Sequence, residues 1–458
     1  MELMIDMASH IPFSKLPKEV QEVVKKCNID NLLDKEVDLS ILKKYNIGMA
    51  ANMECYDNSK MCVLPSLMFR FYNKRKEFKA IMKEHEKAYI ALEEKGDLGE
   101  EYKMHKLLAS QNDTFQNAIK ILINSVYGAI CNQYFKYFKF ELGESITTTG
   151  QLVNRWVGKA VEEFIKNEVL DGKKPTENII TYGDTDSIFF NMVDVINKFG
   201  MQNESDEVIT KFIDDFMEDV LQPVITKATE DLKDYLNAYE NKMFWERENI
   251  YKSLIIVSKK RYAMKQMDKE GISYVNNPKY KIMGLESVRS STPKWSQQWL
   301  VDSYKIALNE EESSIHEYVL ECEKKFYTFD LNSIAIPTGV NGLDKYSDIE
   351  KIYTKGAPKH VKAALIHNHL IDLKGALHHE KIKSGTKIKY LELKKVNPIN
   401  QEVIGFSTYL PEEFGLENSI DKEAMFKKGY IKPLQNFLDV IGWNSKTVNK
   451  IDNYFSFD

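Results

Sequence analysis

Ile179-Ile180-Thr181-Tyr182-Gly183-Asp184-Thr185-Asp186-Ser187-Ile188-Phe189-Phe190 is the stretch on which the reading of this chain turns. Two runs rich in β-branched and aromatic residues flank a Gly/Asp turn, the pattern of a β-hairpin. Its tip carries two carboxylates, Asp184 and Asp186. Ionised carboxylates cost several kcal/mol each to bury unless they are paired or bind a metal. A tip that projects both into a cleft suits a hard divalent cation such as Mg²⁺, which takes oxygen ligands and leaves room for substrate phosphates. Alone, the turn reads more readily as solvent-exposed, because Gly and Asp are ordinary turn residues.

Upstream, Ser66 to about Leu92 is rich in Lys, Arg, Glu and Ala, with no Pro or Gly, and is predicted helical. Lys95-Gly96-Asp97-Leu98-Gly99 breaks it, and a second helix is predicted from Glu100 to Val126, ending at Gly128. Two long helices around a short tip make an antiparallel hairpin. In the second, Lys120, Asn124 and Tyr127 are spaced to share one face, offering a cation, an amide and a flat ring. Gly128 removes a side chain where a base pair could approach, or merely ends the helix. Arg75 and Lys79, four apart on the first helix, would complete a cationic cradle for phosphates if the helices pack antiparallel. Their segment also holds Lys74 and Lys76, and such runs are usually solvated.

A further helix is expected over 145–170, opened by Thr147-Thr148-Thr149, and another over 205–240. Leu254–Met264 and Ser273–Met283 read as strands joined by the turn Asp268-Lys269-Glu270-Gly271. The first includes Lys259-Lys260-Arg261-Tyr262, adjacent cations whose repulsion a phosphate backbone would relieve, or else the charges of a protected edge strand. Ser290-Ser291-Thr292-Pro293 reads as a hydroxyl N-cap followed by proline at the first helical position. Helix continues to about 330, and mixed structure follows. The fold class is α+β.

At 458 residues the chain needs two to four subdomains. Hydrophobic residues are 43% and charged residues 29%, ordinary for a globular protein. The net charge of −5 does not exclude nucleic-acid binding, which depends on where Lys and Arg sit. Cys27, Cys55, Cys62, Cys131 and Cys322 form no C-x-x-C pair, which suits reduced thiols in a cytoplasm. The first residues do not form a signal peptide, and no run approaches the ~20 apolar residues of a membrane span.

Taken in this order, the motifs resemble the replicative DNA polymerases of family B, most closely those of T-even-type bacteriophages. In that family K-x-x-x-N-S-x-Y-G is the fingers motif, Y-G-D-T-D-S the second carboxylate motif of the palm and K-K-R-Y a primer-strand contact. This sequence shows all three, at Lys120–Gly128, Tyr182–Ser187 and Lys259–Tyr262. Phe244-Trp245-Glu246-Arg247-Glu248, Lys281–Glu286 and Ser290–Lys294 extend the similarity, which runs from about residue 55 onward and is weakest between about 330 and 430.

The resemblance implies a right-hand polymerase with an antiparallel palm sheet, helical-hairpin fingers and a mixed, mostly helical thumb. Residues 1–64 would be a palm segment, 65–128 fingers, 129–288 palm, and 289–458 thumb with a clamp-binding tail. Asp186 would be the main metal ligand, Asp184 an accessory carboxylate, and Glu246 and Glu248 nearby acids. Arg75, Lys79, Lys120 and Asn124 would hold the incoming dNTP, and Tyr127 and Gly128 would lie under the nascent base pair. Lys259, Lys260, Arg261 and Tyr262 would grip the primer of a primer–template DNA. Two Mg²⁺ ions would activate the 3′-hydroxyl and stabilise the leaving pyrophosphate. The aromatic Tyr454, Phe455 and Phe457 of the tail would dock on a sliding clamp.

The family's first carboxylate motif, D-x-x-S-L-Y-P-S, is not found; the closest string, Asp57 to Ser66, has the wrong Asp-to-Pro spacing. The chain is therefore expected to be the carboxy-terminal part of a split enzyme. An N-terminal polymerase chain would bring the exonuclease and the first catalytic Asp, in the cytoplasm of a phage-infected bacterium. The alternatives are a non-catalytic fragment that binds DNA and docks on the clamp, or an inactive frame, which would be free to lose these motifs. His367-Asn368-His369 and Asp34-Lys35-Glu36 resemble nuclease signatures, but the first reads as structural or surface, and the second is rejected because the family's exonuclease domain precedes the palm and needs far more chain.

Overall fold

The computed structural model describes residues 9–59 and 61–446, so Tyr454, Phe455 and Phe457 lie outside the described residues. The chain divides into two compact units, Met1–Glu248 with Glu270–Ile272, and Asn249–Lys269 with Ser273–Asp458.

In the first unit, one helix runs from Val63 to Glu94, with Pro65 in the first turn, where its missing N–H costs nothing, and helix formers beyond it; a second runs from Glu100 to Ile130. They lie antiparallel, because ring pairs step along one helix while stepping back along the other. Phe78 meets Phe115 at 5.3 Å between centroids, His85 meets His105 at 5.1 Å, and Tyr89 meets Tyr102 at 6.0 Å. Gly128 does not end the second helix, contrary to the expectation. Glycine costs about 1 kcal/mol in a helix, too little to stop one this long.

The next helix, Phe140–Phe164, begins earlier than expected, with the threonine run inside it. Thr148 Oγ1 donates to Glu144 O at 2.7 Å and Thr147 Oγ1 to Gly143 O at 3.3 Å. These bonds back to the preceding turn let hydroxyl residues sit within a helix. Its apolar face, Leu152, Val153, Trp156, Val157 and Val161, forms the core of the unit. Against it pack Ile225, Ala228 and Leu232 of the helix Gln222–Tyr235, and Val20, Leu32 and Leu42 from the amino-terminal segment. Trp156 also donates to Ala228 O at 2.9 Å. Each such aliphatic side chain contributes about 1.5–3 kcal/mol on full burial. A small antiparallel sheet orders His10–Ile11, Cys55–Asp57 and Ile47–Met49.

The hairpin is present as read: Ile180–Asp184 pairs antiparallel with Ser187–Phe190 across a turn of Thr185 and Asp186. It is a two-stranded sheet. Isolated hairpins are marginal in water, and this one leans on the 140–164 helix. Gly158 makes that approach feasible, since a Cβ there would meet Ile180 Cδ1 at 2.9 Å.

The second unit holds an antiparallel sheet with Arg261–Lys269 between Asn249–Ser258 and Lys279–Met283. The predicted strand Leu254–Met264 is therefore two strands, with Lys259-Lys260 as the turn. The pattern on either side of the lysines is the same, and lysine is not a turn signal, so the reversal left no mark in the sequence. The helix expected after Pro293 runs Lys294–Asn309 and a second Glu312–Phe326. The hydroxyl N-cap is not found: Pro293 caps without a side-chain bond, and Thr292 Oγ1 is spent on Glu286 O at 2.6 Å. Tyr304, Phe326, Phe426, Tyr430 and Phe437 are fully buried in the core they share.

A second sheet orders Ile336–Gly339, Lys387–Glu392 and Val403–Phe406 beside the helix Lys359–Lys374. His367 is buried, its ring 5.4 Å from Phe414, and Asn368 takes Ile382 N–H at 2.7 Å, so these two are structural, while His369 is exposed. Asp34 likewise pairs with the Lys159 ammonium at 2.8 Å. All five cysteines are free. No helix of the described residues is long and apolar enough to cross a membrane.

Candidate nucleotide and metal site

The hairpin tip is tightly wound. Thr185 is left-handed (φ 48°), and Asp186 N–H donates to Asp184 O at 2.5 Å. Thr185 Oγ1 donates to Asp184 Oδ1 at 3.1 Å and Ser187 Oγ to Asp184 O at 3.2 Å. Asp184 is half-buried and Asp186 exposed. The Asp186 carboxylate accepts no hydrogen bond from the described residues. An exposed acid at a constrained apex, next to a half-buried one, is a hard-oxygen donor set that fits Mg²⁺.

Two residues that the sequence reading passed over hold this tip. Asn154 Nδ2 donates to Ser187 O at 3.1 Å, and a Cβ on Gly183 would lie 3.2 Å from Asn154 Oδ1. Asn154 and Gly158, one turn apart on the 140–164 helix, thus fix the height and tilt of the carboxylates. Helical spacing was the available signal, but neither residue belongs to a motif.

On the long helices, Lys120, Asn124, Tyr127 and Gly128 are all exposed. Lys120 makes no ion pair with the described residues. Arg75 Nε donates to Gln116 Oε1 at 3.2 Å, which places Arg75 opposite the turn preceding Lys120. Lys79 lies one turn further along its own helix, so it stands two turns, about 11 Å, from the level of Lys120. The cations form a ladder along the pair rather than one cluster. Lys79 Nζ is 2.6 Å from Glu270 Oε1, and Lys83 Nζ is 2.5 Å from Glu270 Oε2. Burial pushes the Glu270 carboxyl up, but the two ammonium groups outweigh it and hold it below the usual carboxylate range. Lys83 and Glu270 were not singled out from sequence. Lys83 continues the i, i+4 series from Arg75 and Lys79, which was the legible sign.

Glu246 and Glu248 are exposed in an extended segment, with Arg247 between them paired to Asp214. In the second unit, Lys259 and Lys260 form the exposed tip of their hairpin, with Lys260 left-handed (φ 61°). Arg261 is 2.5 Å from Glu286 Oε1, and the Tyr262 side chain is buried. A Cβ on Gly284, itself left-handed (φ 61°), would lie 2.2 Å from Lys260 O. Gly284→Ala should therefore push this tip away and lower stability by roughly 2–4 kcal/mol. The thermal unfolding temperature should fall; an unchanged value would mean the tip is not held there.

A sequence model of DNA polymerase family B matches residues 5–224 and 217–441. The DNA-directed DNA polymerase of Enterobacteria phage T4 is 31% identical over 365 residues, 76% of this chain and 39% of that protein. That of Escherichia phage RB69 is 31% identical over 331 residues, 69% of this chain and 36% of that protein. The DNA polymerase delta catalytic subunit of Caenorhabditis elegans is 29% identical over 174 residues, 38% of this chain and 14% of that protein. The chain thus spans less than two fifths of the length of the two phage relatives. Its exposed carboxylate hairpin and its cationic helix pair sit on a sequence matched along most of its length, and the chain belongs to DNA polymerase family B.

Proposed function

We propose that this chain supplies the fingers, the distal palm and the thumb of a DNA-directed DNA polymerase that copies viral DNA in an infected bacterium. Residues 65–128 act as fingers, 1–64 and 129–288 as palm, and 289–458 as thumb. The observation that carries the reading is the exposed, unpaired Asp186 beside Asp184 on a clamped hairpin, in a chain that also presents Lys120, Asn124 and Tyr127 on one helix face.

Two Mg²⁺ ions, when bound, lower the pKa of the primer 3′-hydroxyl and neutralise charge on the leaving pyrophosphate. Asp186 and Asp184 hold their share of the ligands at a fixed height. Lys120, with Arg75 and Lys79, draws in and orients the triphosphate, and Asn124 adds an amide donor. Tyr127 and Gly128 leave a flat, open floor for the new base pair. Lys79 is engaged by Glu270 before nucleotide arrives, so the triphosphate must compete for it. Lys259, Lys260 and Arg261 grip primer phosphates, a sequence-independent contact. Tyr262 supports their strand from within. Glu246 and Glu248 add negative charge near the metal ligands, and the aromatic tail docks on a sliding clamp.

The first catalytic carboxylate and the exonuclease come from an N-terminal polymerase chain. Its strand would add to the two-stranded 180–190 hairpin, which falls short of the three strands that an independently stable sheet needs. Such a pair would bury well above ~2,000 Å². Mixing this chain with that partner should give primer extension at least about 10³-fold above this chain alone, since two metals need bridging carboxylates from both motifs. Equal extension by the chain alone would overturn the split site.

A further inference from the structure

The carboxy-terminal unit carries a cluster that polymerase chemistry does not use. The helix Lys359–Lys374 ends on Gly375, which is left-handed (φ 63°). The chain then turns so that His379 N–H donates to Ala376 O at 3.1 Å. Two imidazoles leave this turn side by side, His378 and His379, with ring centroids 4.1 Å apart. Facing them is Glu413, in the single turn Glu412–Phe414. His378 Nε2 lies 3.0 Å from Glu413 Oε1, and His379 Nε2 lies 3.2 Å from Glu413 Oε2.

We propose that His378, His379 and Glu413 form a binding site for a divalent transition-metal ion of the zinc class, with water in the remaining position. The donor set comes first. Two imidazole nitrogens and one carboxylate suit Zn²⁺, whereas Mg²⁺ prefers oxygen ligands throughout. The spacing comes second. Bonds of about 2.0–2.1 Å at tetrahedral angles put neighbouring donor atoms about 3.3 Å apart. The two nitrogen–oxygen separations here, 3.0 and 3.2 Å, are close to that edge.

Support of the ligands comes third. Ala376 and Phe414 are buried on either side of the site, so both turns are anchored in the unit. The His379 side chain is 12% exposed, and its ring meets the Tyr409 ring edge-on at 5.7 Å. His378 and Glu413 are open to solvent, which leaves access for the ion and for water. Without an ion, the two imidazoles rest on the two separate oxygens of one carboxylate. An ion joins all three groups and pins the turn after the 359–374 helix to the turn before Gly415.

The test uses the full chain without a polyhistidine tag and with Asp184→Asn and Asp186→Asn, so that the hairpin carboxylates do not contribute. After chelator treatment it is titrated calorimetrically with Zn²⁺, and separately with Zn²⁺ under a large excess of Mg²⁺. The expected result is one Zn²⁺ per chain at micromolar or tighter affinity, undiminished by Mg²⁺. A higher melting temperature and a visible four-coordinate band with Co²⁺ should accompany it. Glu413→Gln and His379→Ala should each weaken binding at least about tenfold. His378→Asn changes the most exposed ligand and guards against misfolding, and it should do the same. Zinc affinity unchanged in these variants, or absent in the parent, would overturn the site.

Discussion

Asp186→Asn should remove primer extension from the complemented enzyme, by at least about 10³-fold, while primer–template binding persists. A ligand that positions a divalent ion on transferring phosphates supplies several kcal/mol of transition-state stabilisation, and each 1.36 kcal/mol is tenfold in rate. Asparagine keeps the shape of the side chain but removes the charge and one oxygen donor. Asp186 is exposed at the hairpin tip and accepts no hydrogen bond from the described residues, so the substitution leaves no protein group unpaired. Stability should move by less than about 0.5 kcal/mol, as at other surface positions. Single-turnover extension and a DNA-binding isotherm on the same preparation separate the two effects. Extension retained at wild-type rate would take Asp186 out of the chemistry.

Lys120→Ala should lower kcat/KM for dNTPs by about 10–10²-fold, the size of a lost hydrogen bond to a charged group. Lys120 is exposed and makes no ion pair with the described residues, so its charge is available to a ligand. Both kcat and KM should change if the contact tightens in the transition state. Lys79 is expected to behave differently. Its ammonium is committed to Glu270 at 2.6 Å, so part of the effect of Lys79→Ala is the loss of a partner for a half-buried carboxylate. Melting temperature together with dNTP titration distinguishes them: Lys120→Ala moves only the kinetics, Lys79→Ala moves both. Kinetics unchanged on Lys120→Ala would mean that the lysine is only solvated.

The parts of this fold that the sequence announced are those fixed by local chemistry. The helix pair was legible because the breakers between its two long runs cluster at Lys95 to Gly99. The carboxylate hairpin was legible because β-formers bracket a Gly/Asp turn. The Lys259-Lys260 turn was not, because Lys260 adopts φ 61° in a context set by strand pairing with 279–283 and by the carbonyl approach that Gly284 permits. Both are long-range. The Thr147-Thr148-Thr149 run misled for a related reason: a hydroxyl that caps a helix elsewhere bonds back inside one here.

At the site, motif residues were found and their supports were not. Asp184, Asp186 and Lys120 stand in recognisable strings. Asn154, Gly158, Lys83 and Glu270 act only through residues distant in sequence. His378, His379 and Glu413 come together across a separation of 34 residues, which no spacing rule anticipates.

The central claim is that the hairpin of residues 180–190 carries part of a two-metal centre. Electron paramagnetic resonance of Mn²⁺ measures this directly, in the complemented enzyme with primer–template and a non-hydrolysable dNTP. His378, His379 and Glu413 should be replaced in the same chain so that only the polymerase site is counted. Two bound Mn²⁺ per active site are predicted for the parent, and one or none for Asp186→Asn. Two ions bound with equal affinity in both proteins would contradict the account.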